Sequence, residues 1–177
     1  MKILITDGDS RAALAITRSL GKSGHTICVA EKQSPSLASK SKYCSESFVY
    51  PDPAHETQAC IRTIHEESVA RKIDLIIPVT DITLLPIVAH RAIFGGVAGL
   101  AISSTESTQI AANKALTCRL AEKLGIPIPK SIYLESPAEL QYIDIGALPF
   151  PIVIKPYKSR IEANGKWLFT TVKYAET

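Results

Sequence analysis

Three short pieces of this 177-residue sequence carry the chemistry it can support. The first is Asn113-Lys114, opening a helical pattern that runs to Leu124-Gly125-Ile126-Pro127-Ile128-Pro129-Lys130. The second is Pro151-Ile152-Val153-Ile154-Lys155-Pro156, read as a buried apolar strand that ends in a lysine. The third is the loop Lys158-Ser159-Arg160, within a polar segment from Tyr157 to Lys166. Lys155 is the most informative residue. A lysine that closes an apolar strand and is followed by proline is poorly explained as a solubility feature. A compact ammonium in that place can meet a phosphate as a point charge. The alternative is an edge lysine snorkelling to solvent.

Other motifs fail on spacing or context. Gly21-Lys22-Ser23 imitates the end of a P-loop, but that loop needs a glycine where Ile16 stands, and it must run from strand to helix rather than helix to strand. Gly8, Ser10 and Ala13 are a degenerate form of the dinucleotide fingerprint, with Glu31 about where a ribose-binding acid would sit. Ser10 partly blocks the approach of a pyrophosphate, so a plain first βα turn is the better reading. His65-Glu66-Glu67 lacks the second histidine of a zinc-protease helix, because position 69 is Val. Glu162-Ala163-Asn164 resembles a carboxylate–amide metal pair but has no partner carboxylate, which favours a turn.

The elements that must position these residues change character along the chain. Lys2–Thr6, Thr26–Ala30, Ser47–Tyr50, Asp74–Val79 and Leu100–Ser103 read as strands. Arg11–Leu20, Thr57–Arg71 and Ile82–Phe94 read as the helices between them. Asp74–Val79 is nearly continuously apolar, as a central parallel strand buried on both faces must be. Strand–helix alternation implies parallel crossovers, hence a doubly wound α/β domain over residues 1–112. Residues 113–177 form a second block. Ser107–Leu124 reads as one broken helix or two adjoining ones, Ile128–Leu134 as extended, Pro137–Tyr142 as a short helix, and Trp167–Tyr174 as the hairpin partner of Ile152–Pro156. In the first block, Asp7, Asp9, Ser10 and Arg11 follow one strand and Thr80 and Asp81 another. Both groups lie at carboxyl ends of parallel strands, where ligands settle in open α/β sheets. Asp81 also reads as a helix N-cap.

Composition narrows the partners. Hydrophobic residues make up 46% and charged residues 21%, ordinary for a globular protein, and a formal charge of +3 with 6% aromatics offers no nucleic-acid surface. No run approaches the roughly 18 apolar residues of a membrane span, and the first apolar run is too short for a signal peptide. Cys28, Cys44, Cys60 and Cys118 form no CxxC pair, so reduced, mostly buried thiols in a cytoplasmic protein are expected.

In the order of these pieces the sequence resembles the ATP-grasp superfamily, of the carboxylate–amine ligase or carbamoyl-phosphate synthase type. The resemblance covers nearly the whole chain and implies a Rossmann-like preATP-grasp domain followed by an incomplete α+β ATP-grasp N-terminal lobe. It implies that Lys114 and Lys155 reach the ATP phosphates and that Tyr157–Lys166 is a flap over the triphosphate. Family flaps are commonly glycine-rich; this one has only Gly165, so contact would fall to Lys158, Ser159 and Arg160. Ile77-Pro78-Val79-Thr80-Asp81 looks like the family's fourth strand and following loop.

The resemblance further implies a parent enzyme that uses ATP to make an acyl phosphate from a carboxylate, which an amine or ammonia attacks. The chain stops before the family's magnesium-binding carboxylates and asparagine, so a truncated fragment, inactive alone and with no assignable catalytic residue, is expected. An uncovered strand edge in residues 113–177 would favour a homodimer. The rivals are a nicotinamide-binding protein resting on Gly8 and Glu31, and a non-catalytic interaction or regulatory domain.

Overall fold

The computed structural model describes residues 1–144, 146, 149–163 and 166–176. The chain divides into two compact units, Met1–Thr108 with Glu162–Leu168, and Gln109–Ile161 with Phe169–Thr177.

In the first unit, β1 (Lys2–Ile5), β2 (Thr26–Glu31), β3 (Cys44–Val49), β4 (Leu75–Ile77) and β5 (Gly99–Leu100) form one sheet in the order β3-β2-β1-β4-β5. Every pairing is parallel. The chain starts at the centre and winds outward both ways, which places the carboxyl ends of β1 and β4 side by side at the switch point. Helices α1 (Arg11–Lys22), α2 (Thr57–Ala70) and α3 (Asp81–Ala89) cover the sheet. Leu4, Cys28, Ala30 and Ile76 pack with Cys60, Ile61 and Ile64 of α2 on one face, while Ile3, Ile5, Ile27 and Val29 pack with Ala13 and Leu14 of α1 on the other. Burying each such aliphatic side chain contributes about 1.5–3 kcal/mol. Period-2 patterning is therefore absent in the central strands, as their unbroken apolar runs require.

Local signals set the ends. Ser10 caps α1 by accepting the Ala13 N–H at 3.0 Å, and Gly24, at φ +87°, supplies the left-handed stop. Gly21-Lys22-Ser23 thus closes a helix rather than opening one. β3 starts at Cys44, earlier than its apolar residues suggest, because as an edge strand it buries little. Its Glu46 pairs with Lys2 at 2.6 Å and Arg71 at 2.8 Å. The expected helix over Ile82–Phe94 breaks at His90 (φ −108°, ψ 21°) into α3 and a 3₁₀ turn, Arg91–Phe94. His65 lies edge-on to Phe94, and Glu67 pairs with Arg71, so this part of α2 is structural.

The other elements are α4 (Thr105–Ala111), α5 (Lys114–Lys123), a 3₁₀ turn at Pro137–Tyr142, and β6 (Ile152–Ile154), β7 (Arg160–Ala163), β8 (Lys166–Phe169) and β9 (Lys173–Ala175). Asn113 caps α5, its Oδ1 accepting from the N–H groups of Ala115 and Leu116. Two expectations need correction. The partner of β6 is β9, not the whole of Trp167–Tyr174, and β8 pairs instead with β7. The missed signal is Asn164-Gly165, a favoured hairpin-turn dipeptide between two alternating runs, although both residues lie outside the described ones. β6 is also not buried: Val153 is 47% and Ile154 53% exposed, because a ladder of two strands cannot cover its own faces. Ile128–Leu134 joins no ladder.

Two substitutions test these assignments. A Cβ on Gly8 would come within 2.5 Å of Ser36 Oγ and 2.7 Å of Val29 Cγ1, so Gly8→Ala should cost about 1–3 kcal/mol in denaturant unfolding. A loss below a few tenths would show that the Ser36 segment yields freely. Asn113→Ala should cost about 1 kcal/mol, read as lost helical signal on urea titration, since two N–H groups lose their acceptor; unchanged unfolding would dismiss the cap.

Candidate functional site

At the switch point, Asp7 is only 6% exposed and adopts the left-handed conformation, φ 57°. Its Oδ2 accepts from Thr83 Oγ1 at 2.6 Å, Thr6 Oγ1 at 2.8 Å, the Thr80 N–H at 2.9 Å and the Val79 N–H at 3.1 Å. The Tyr50 hydroxyl accepts the Asp7 N–H at 3.1 Å and lies 3.5 Å from Oδ1. Burial first, and the Asp7 charge second, push the Tyr50 phenol far up, so it stays protonated. The Asp7 carboxylate is thus engaged within the protein rather than displayed to solvent.

Its neighbours are placed differently. Asp9 is exposed, and its carboxylate accepts from Gln33 Nε2 at 2.9 Å and the Leu37 N–H at 2.8 Å. Ser10 is the cap of α1, and Arg11 stands exposed at its first residue. The cap of α3 is Thr80, not Asp81, and Asp81 occupies the first turn, where a carboxylate complements the helix dipole.

The dinucleotide features are closed off. Gly8 donates its N–H to the Ala30 carbonyl and accepts from Ala38, which seats Ser36 and Ala38 where a pyrophosphate would approach the turn. Both oxygens of Glu31 accept backbone N–H groups, from Asp9 and from Lys32. Cys28 and Cys60 are free, and burial raises both thiols to about 12, leaving them protonated and unreactive.

In the second unit the structure brings together two expected phosphate-side residues that are 45 positions apart. Lys114 Nζ donates to Ser159 Oγ at 2.9 Å. The Lys114 N–H also binds the Tyr157 carbonyl at 2.8 Å, so the start of α5 is fastened to the loop after β6. Thr170 holds the same loop elsewhere, its hydroxyl donating to the Lys158 carbonyl at 2.7 Å and its N–H to the Ser159 carbonyl at 3.2 Å. Three successive residues therefore carry four hydrogen bonds, and the segment leads directly into β7. Lys158 lies 5.9 Å from the Tyr157 ring, Arg160 is half-buried at the start of β7, and Lys155 is exposed just past β6. No group of three His, Cys, Asp or Glu side chains among the described residues could hold a metal ion. No described helix is long and apolar enough to cross a membrane.

Neither a protein-family model nor a curated protein matches the sequence. Solved structures do match. N5-carboxyaminoimidazole ribonucleotide synthetase from Thermotoga maritima is 19% identical with a TM-score of 0.65, over 99% of this chain and 41% of that one. L-amino acid ligase from Bacillus licheniformis is 13% identical with a TM-score of 0.66, over 99% of this chain and 39% of that one. N5-carboxyaminoimidazole synthetase from Staphylococcus aureus, complexed with ADP, is 13% identical with a TM-score of 0.62, over 96% and 41%. The chain spans about two-fifths of the length of these proteins. Its fold, a five-stranded parallel α/β sheet followed by further helices and strands, is similar to that part of these synthetases and ligases.

Proposed function

We propose that this chain is the preATP-grasp domain (1–112) and part of the N-terminal ATP-grasp lobe (113–177) of an ATP-dependent ligase. The parent enzyme activates a small-molecule carboxylate as an acyl phosphate, which an amine or ammonia attacks. The observation that carries this reading is the contact between Lys114 Nζ and Ser159 Oγ, at the point where the N-terminus of α5 is tied to the loop after β6. An ammonium beside a hydroxyl is a donor set suited to phosphate oxygens. Lys155, Lys158 and Arg160 belong to the same stretch of chain and are assigned to the triphosphate as well. The similar structures are named as synthetases and ligases, one of them complexed with ADP, which agrees with ATP as the nucleotide. Magnesium is assigned to the parent enzyme, as the resemblance implies. The closed turn at Gly8 and the engaged Glu31 speak against a nicotinamide site.

Two measurements test this reading. Titration calorimetry with ATP should give an affinity that falls about ten- to a hundredfold in Lys155→Ala and in Lys114→Ala, the loss of a charge-assisted phosphate contact. Unchanged affinity in both variants removes the assignment, and binding of NADH but not ATP replaces it with the nicotinamide reading. We also propose that two copies pair through residues 113–177, because β6 and β9 form an isolated ladder with Tyr174 71% exposed. Light scattering should report a dimer, and a monomer at high micromolar concentration refutes it.

A further inference from the structure

The left-handed backbone at Asp7 and the convergence of hydrogen-bond donors on its side chain have one effect in common. Asp7 sits on the turn after β1, and its Oδ2 holds the backbone N–H groups of Val79 and Thr80, on the turn after β4, together with the Thr83 hydroxyl inside α3. Its own carbonyl accepts the Ser10 N–H at 2.9 Å, which fixes the cap of α1. Thr6 Oγ1 lies 2.8 Å from Thr83 Oγ1 and accepts the Val79 N–H at 3.3 Å, a second tie between the same two turns. Tyr50, 1% exposed, holds the Asp7 N–H from the end of β3. Two turns that are more than seventy positions apart in sequence therefore share one carboxylate.

We propose that Asp7 is a positioning residue that locks the β1–α1 and β4–α3 turns into one preformed rim. That rim presents Ser10, Arg11, Thr80 and Asp81 together to the small-molecule substrate. The identity of the ligand as the ligase's carboxylate rests on the proposed function; the rim itself does not. A left-handed aspartate is the tolerated exception among non-glycine residues, because its short side chain can bond the nearby backbone. Here it bonds the backbone of a neighbouring crossover instead. Strain of this kind persists where surrounding contacts over-determine it, and it clusters at ligand clamps. A rim held rigid before binding spares the ligand the entropy of ordering two loops.

Residue-resolved amide exchange on the free protein tests this, comparing wild type with Thr83→Val, Thr83→Ser and Asp7→Asn. In Thr83→Val and Asp7→Asn the Val79 and Thr80 amides should exchange about tenfold faster or more, while Leu4 and Val29 in the same sheet stay within about twofold. Thr83→Ser, which keeps the hydroxyl, should restore wild-type protection. Should Asp7→Asn fail to fold, the two Thr83 variants decide. Unchanged exchange at Val79 and Thr80 in Thr83→Val overturns the proposal. So does acceleration spread evenly over the sheet, or failure of serine to rescue. No nucleotide is present in this experiment, so its outcome is independent of the ATP titration.

Discussion

A carboxylate taken out of water must be met by donors, and the first unit is organised around one that is. Leaving such a charge uncompensated would cost several kcal/mol, enough to threaten a domain of ordinary stability. Asp7 avoids that cost by collecting two backbone N–H groups and two hydroxyls, and in doing so fixes where the turns after β1 and β4 must lie. The parallel sheet makes this arrangement available. Because β1 and β4 are adjacent and co-directional, their carboxyl ends emerge together, and one side chain can reach both connections. Gly8, the next residue, then lets the Ser36 segment settle against the turn from the side of β2.

The same sheet explains why the first unit closes a core of its own and why that core has two halves. Each central strand sends alternate side chains to opposite faces, and α1 covers one face while α2 and α3 serve the other. The second unit has no such closure: among its residues whose burial is described, none is buried. It is held by caps, short ladders and loop contacts, such as Asn113 on the first turn of α5 and Thr170 on the loop after β6. Apolar side chains as large as Leu124 and Ile126 stay more than half exposed there.

The first unit was legible in the sequence because its signals are local and repeated. Unbroken apolar runs located β1, β2 and β4, and the helical pattern of Arg11–Leu20 located α1, since such patterns depend only on residues close in the chain. The edge strand β3 was read short, because an edge buries too little for apolar residues to outline it. In the second block the apolar run of β6 was recognised but its partner was misplaced. Strand pairing depends on which segment returns alongside, and the run read as one strand over Trp167–Tyr174 belongs to two, β8 and β9, in different ladders.

Residue types alone determined that the chain alternates strand and helix, that Lys114 and Lys155 open a helix and close a strand, and that no thiol pair or zinc motif is present. The tertiary structure decided what those residues touch. Nothing near Asp7 in the sequence announces that Val79, Thr80 and Thr83 will donate to it, and nothing near Lys114 names Ser159 as its partner. Hydrogen bonds across 45 or more than seventy positions form only after the sheet order and crossovers have brought distant turns together. They are properties of the fold, whereas caps, turns and apolar runs are properties of the chain.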